Sequence, residues 1–159
     1  VTTTTPSPAD LARRARPRPA EDGTKPAQLT PAKAIAPGQL APGERFKTLY
    51  QRGLMISGML PQARLVGHTL SLYAHHRTGR ISPNHQPSHD QLAADTGLNP
   101  GSIGAQFEIL RQRGWLQSTR IGEGPRAGKP RFDLTIPALY LEQIRAPRLT
   151  GRASPAGSA

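Results

Sequence analysis

The sequence predicts a mainly α-helical fold completed by one small antiparallel β-hairpin, and three observations carry this. Apolar residues recur at three- and four-residue steps between residues 46 and 110, the period of a helix face. The period falls to two between residues 131 and 136, the period of a half-buried strand. Between these stretches Ser, Asn, Pro and Gly stand where helices begin and end.

Residues 1–42 are rich in Pro, Ala, Thr and Arg. Prolines at 6, 8, 17, 19, 26, 31, 37 and 42 leave no room for a helix of useful length. The scattered apolar residues cannot offset the entropy of ordering the chain, so a disordered tail is expected. Residues 43–145 are expected to form the domain, and 146–159 a second, shorter tail.

Within the domain, Phe46, Leu49, Tyr50 and Leu54 share one face of a helix expected between Gly43 and Gly58, although Gly53 and Gly58 are poor helix formers. Pro61 suits the first turn of a second helix, with Leu65, Thr69, Leu72, Tyr73 and His76 as its stripe and an end near Thr78 and Gly79. The stretch from Ile81 to Pro87 is irregular. Ser88 is an N-cap with Gln91 at the third helical position, a capping-box pattern, and Gly97 ends that third helix in a left-handed conformation. Asn99 caps a fourth helix with Pro100 at its first position. Its buried stripe is Ile103, Phe107 and Leu110, and Gly114 terminates it. Trp115 to Ile121 reads as a strand, Gly122 to Pro130 as a Gly/Pro-rich loop, and Arg131 to Ile136 as a second strand facing inward at Phe132, Leu134 and Ile136. Pro137 stops it, and Ala138 to Arg145 closes the domain as a short helix.

The chain has 159 residues, with 21 Lys and Arg against 10 Asp and Glu, a formal net charge of +11. Residues 42–145 alone hold thirteen basic and seven acidic side chains, a net of +6, so the excess is not confined to the tails. Such a balance favours a polyanionic partner through counterion release and long-range steering. The alternative is that the charge serves solubility.

Several classes are disfavoured. Without cysteine there is no disulfide framework and no thiolate metal site. No apolar run approaches the ~20 residues that span a bilayer, and the start Val1-Thr2-Thr3-Thr4-Thr5 does not resemble a secretory signal. A cytoplasmic, nucleoid-associated protein without membrane contact is expected. His85 and His89 are four apart, but Pro87 interrupts any continuous helix between them, so no metal site is expected. No phosphate-binding loop ends in Lys-Ser/Thr, and no nucleophile elbow occurs. The expectation is a protein that is not an enzyme and uses no cofactor.

The informative segment runs from Gln91 to Ile103. Two short helices meet at a tight turn containing Gly97, Ala93 is small enough for a close crossing, and Leu92, Leu98, Ile103 and Leu110 fill the wedge. This geometry projects the second helix as a rod of major-groove width. Here the chain resembles the winged helix-turn-helix family, on Leu92-Ala93, Gly97-Leu98, Ser102-Ile103, Leu110 and Gly114-Trp115-Leu116, over about Leu60 to Ile136. It is most similar to such domains in bacterial transcription regulators and in plasmid or phage replication proteins. The resemblance implies a winged helix-turn-helix fold that binds double-stranded DNA through a recognition helix, Asn99 to Arg113, and a basic wing.

One departure bears on readout: Gly104 and Ala105 stand where the family often has a serine and an arginine facing the groove. The remaining candidates on the recognition helix are Asn99, Ser102, Gln106 and Arg111. Gln106 is expected to bond an adenine edge, and Asn99 and Ser102 to contact phosphates. Ser88 and His89 open the preceding helix, where His89 is placed to donate to a phosphate. In the wing, Arg120, Arg126, Lys129 and Arg131 cluster around a flexible tip suited to phosphates or the minor groove. The alternatives are ordinary surface positions and a solvated hairpin loop. The expected role is sequence-preferring DNA binding as a transcription regulator. Plasmid or phage replication or maintenance is the first alternative, and a winged helix that binds only proteins the second. The flanking helices, Gly43 to Gly58 and Ala138 to Arg145, offer an interface for a homodimer.

Overall fold

The structure is a computed structural model and describes residues 30–146. The expected tails therefore fall outside the described residues over 1–29 and 147–159. The described chain is mainly helical with a two-stranded hairpin. Its order is α1 (Pro31–Ile35), α2 (Phe46–Ile56), α3 (Pro61–Tyr73), a single 3-10 turn (Pro83–His85), α4 (His89–Thr96), α5 (Pro100–Gln112), β1 (Leu116–Arg120), β2 (Pro130–Leu134) and α6 (Ala138–Arg145). No helix among the described residues is long and apolar enough to cross a membrane.

The caps follow local chemistry. Ser88 Oγ accepts the Gln91 amide at 3.1 Å, and Gly97 leaves α4 at φ 73°. Asn99 Oδ1 accepts the Gly101 amide at 2.9 Å ahead of Pro100. The expected reciprocal bond of a capping box does not form, because the Gln91 side chain turns to Asp95 instead, at 2.9 Å.

The core joins α2, α3, α4, α5 and the hairpin base. Phe46, Tyr50 and Leu54 enter from α2, Leu92 from α4, Ile103, Phe107 and Leu110 from α5, and Leu116, Leu134 and Ile136 from the hairpin and its exit. At the centre lies Trp115, fully buried, edge-on to Tyr50 with ring centroids 5.6 Å apart and tilted on Tyr140 at 5.1 Å. Gly53 makes room for it: a Cβ there would lie 2.6 Å from the indole. Burial pushes the Tyr50 hydroxyl pKa up, and that hydroxyl donates to the Trp115 carbonyl at 3.2 Å.

Two expectations are corrected. First, α3 is rotated from the expected stripe and ends earlier. Its buried residues are Ala63, Val66, Gly67, Thr69, Leu70 and Ser71. Of the expected stripe Thr69 is buried and Tyr73 half-buried, while Leu65 and Leu72 are 42% and 69% exposed and His76 lies beyond the helix. The physical reason is close packing, since a Cβ on Gly67 would meet Leu54 Cδ1 at 2.9 Å and Leu110 Cδ2 at 3.5 Å. The crossing selects small residues, and the bulkier Leu stripe is left outside. The helix stops at Tyr73 because residues 75–80 form a turn, with Gly79 at φ 72° and its amide bonded to the His75 carbonyl at 2.9 Å.

Second, residues 30–42 are not a tail but pack on the domain. Pro37 bridges Pro137, the Gly38 amide donates to Ile136 O at 2.8 Å, and the Ala138 amide donates to Ala36 O at 2.9 Å. The strap is fastened further along by Arg145, whose guanidinium donates to Gln39 O at 2.9 Å and to both Glu44 oxygens at 2.8 and 2.6 Å. That guanidinium, with the Ala41 amide, pulls the Glu44 carboxyl down to about 2.

Strands β1 and β2 are antiparallel, with Leu116 opposite Leu134 and Arg120 opposite Pro130. A third short segment joins them: Arg80 forms an antiparallel bridge with Asp133 on the other edge of β2.

Candidate nucleic-acid interface

The candidate surface is built from the α4–α5 crossing and the hairpin that follows α5. Leu92 and Ala93 of α4 pack toward Ile103 and Leu110 of α5, with Leu98 partly buried between the helices, as the sequence leads one to expect. His89 then ties the start of α4 to the middle of α5, its ring 5.1 Å from that of Phe107. Phe107 continues to Phe132 of β2 at 5.0 Å, edge to face, so one aromatic chain links both helices and the hairpin. Gly104 lies against this stack, and a Cβ there would meet His89 Cε1 at 3.8 Å. The small residue that departs from the family pattern thus sits where the imidazole passes over α5.

Each expected contact residue has a definite place. Ser88 is exposed, but its hydroxyl is engaged in capping α4. Asn99 caps α5, and Ser102, half-buried, donates its hydroxyl to the Asn99 carbonyl at 2.7 Å. Arg111 is exposed and donates to Glu108 through Nε at 2.9 Å and Nη2 at 2.7 Å. The Glu108 carboxyl, hydrogen-bonded by Arg111 and then by Gln112, is pulled down to about 2.

Gln106 is the correction. It is not on the outer face of α5: only 7% of it is exposed, and it lies between α3 and α5, its amide nitrogen 3.4 Å from Gln62 Oε1. Its own Oε1 has no partner. A base edge cannot reach it without the helices parting. The outer face of α5 carries instead Gly101, Ala105, Glu108 and Gln112.

On the hairpin, Arg120 and Lys129 are exposed and have no side-chain hydrogen bond among the described residues. Arg131 grips Asp133 through Nη2 at 2.7 Å and Nε at 3.1 and 3.2 Å, and it keeps partial exposure. Arg126, at the tip, folds back and donates to Pro83 O at 2.8 Å. The tip turns through Gly124 and Gly128, at φ 90° and 79°.

Gln86 is a positioning residue that carries no signature in the sequence. Its amide donates to Ile81 O at 2.9 Å and Phe132 O at 3.1 Å and accepts from the Phe132 amide at 3.0 Å. A side chain thereby extends the ladder between β2 and the loop that leads into α4. Asp133 does the same one step along, accepting the Ile81 amide at 3.1 Å.

Among the described residues no three His, Asp or Glu side chains gather as a metal site. Family models, characterised proteins and solved structures gave no match to this chain.

Proposed function

We propose that residues 30–146 form a winged helix-turn-helix unit that binds double-stranded DNA, with regulation of transcription as its role. The observation that carries this reading is the α4–Gly97–α5 crossing that runs, through Gly114 and Trp115, straight into a hairpin bearing Arg120, Arg126, Lys129 and Arg131. The bridge from Arg80 to Asp133 supports it, since it supplies the short first strand of a winged arrangement. Residues 30–146 hold fourteen basic and seven acidic side chains, a net of +7, and that sign favours phosphate.

In this reading the hairpin cations hold the backbone of the duplex, while the first amides of α5 are already taken up by Asn99. Base readout by α5 is sparse, because Gln106 is buried, Arg111 and Gln112 are both held by Glu108, and Gly101 and Ala105 offer no polar side chain. Sequence preference therefore comes chiefly from groove shape, and it is modest.

A salt titration with a 20- to 30-base-pair duplex, read by fluorescence anisotropy, tests the proposal. Affinity is expected to fall with a log–log slope of about −0.9 per phosphate contact. Absence of binding at about 50 mM salt overturns it. Footprinting then separates uses: one protected site beside a promoter supports regulation, and an array of repeated sites supports replication or plasmid maintenance.

One observation favours a second reading, a protein-docking module. Glu108 places an ionised carboxylate on the face that enters the groove, where it repels phosphate. Under that reading, Glu108→Gln leaves duplex affinity unmeasurable, whereas under the DNA reading it strengthens binding.

A further inference from the structure

A second cationic surface lies at the base of the hairpin, away from its tip. The first turn of α2 and the loop 74–80 build it together. The Lys47 amide donates to His76 O at 3.0 Å, and the Phe46 ring occupies the space beside Gly79, where a Cβ would lie 2.4 Å from it. Gly79 O accepts the Leu134 amide at 2.9 Å, and Arg80 bridges Asp133. These contacts bring the backbone of Arg45, Lys47, Arg77 and Arg80 onto one surface, with the rings of His75 and His76 tilted against each other at 4.7 Å.

Nothing nearby neutralises the four cations. Arg45, Arg77 and Arg80 are exposed, and none of the four makes a side-chain hydrogen bond among the described residues. The two adjacent carboxylates are already engaged, Glu44 by Arg145 and Asp133 by Arg131 and the Ile81 amide. Beside them a shallow cavity of about 540 Å³ is lined by Tyr73, Ala74, His75, Thr78, Arg80 and Ser82. The Tyr73 hydroxyl is given to Asp95, which Gln91 also engages, and the Ser82 hydroxyl and the Arg80 guanidinium are left for a phosphate group. Along the ladder the Arg80–Asp133 bridge lies away from the tip, although Arg126 folds back from the tip to Pro83 O, next to Ser82. Arg80 lies opposite Asp133, itself opposite Gln117, and the tip begins four residues later at Ile121, about 13 Å along the strand.

We propose that this basal surface holds the phosphate backbone of a second DNA duplex, so that one domain joins two duplex segments. The inference rests on the DNA-binding reading of the α5 and hairpin surface. Its physical basis is that unpaired like charges held together by the fold repel one another until a polyanion covers them.

The test uses the full chain, one duplex fixed to beads and a second, labelled duplex in solution, at low salt. Wild type is expected to retain the labelled duplex. A variant carrying Arg45→Gln, Lys47→Gln, Arg77→Gln and Arg80→Gln is expected to bind a single duplex within about threefold of wild type while capture falls at least about tenfold. If that variant lacks a cooperative thermal transition, the pair Arg77→Gln and Arg80→Gln, both exposed, replaces it under the same criterion. Undiminished capture by the variant overturns the inference, as does wild type that binds one duplex and captures no second. If wild type binds no duplex at all, the DNA-binding reading itself fails, and that outcome is distinct from the other two.

Discussion

Gln106 sets a primary amide into the packing between α3 and α5 with its carbonyl oxygen unpartnered. An unsatisfied buried acceptor costs about 1–3 kcal/mol, whereas a leucine of similar volume carries no such cost. Gln106→Leu is therefore expected to stabilise the protein by about 1 kcal/mol in urea unfolding and to leave duplex affinity unchanged. A variant that unfolds more easily and also loses DNA affinity places the amide at the interface after all. The burial of this residue was legible in its phase. It stands three residues after Ile103 and four before Leu110, on the stripe that those two define. Its polar character pointed outward, and phase prevailed because α3 crosses at that point. The cap positions Ser88, Gly97, Asn99 and Pro100 were legible, since they act through local backbone geometry that needs no tertiary partner, whereas Gln91 bonds Asp95 in place of closing a capping box.

At the scale of elements, the hairpin depends on a loop side chain as well as on its own ladder. Two of the Gln86 bonds reach Phe132, which in turn supports Phe107 and His89. Gln86→Ala is expected to cost about 1–3 kcal/mol, because the Phe132 amide loses its partner in a part-buried position. Hydrogen exchange is then expected to quicken in β2 and at Ile81 while α2 and α3 stay protected. Uniform acceleration across the domain would mean that the hairpin is not separately held. The strands themselves were readable from alternation at Phe132, Leu134 and Ile136. The phase of α3 was not, because its buried face pairs Val66 and Leu70 with the small Ala63 and Gly67, and the bulkier Leu65 and Leu72 outweigh that pattern until the close crossing with Leu54 and Leu110 is seen. Gly53 likewise reads as a helix weakness in isolation, and only the indole beside it explains the choice.

Across the whole molecule, residues 30–42 strap α6 to the exit of α5. Gly114 is the point of closest approach: it sits at φ 78°, and a Cβ there would lie 2.4 Å from Ile35 O. Gly114→Ala faces both a strained backbone and a backbone clash, and a loss of about 2–4 kcal/mol is expected in denaturant unfolding. A melt unchanged within error would show that the strap adds nothing. From sequence, the prolines of this segment argued against structure, and they do prevent long helices. They do not prevent an extended chain from bridging Pro37 to Pro137, a contact set by residues a hundred positions away. The chain holds a single tryptophan, sealed at the junction of α2, α5 and the hairpin. Its emission is expected to be blue-shifted in the native state and to move to the red once water enters, so the wild-type chain supplies its own optical reporter of unfolding, free of engineered dyes.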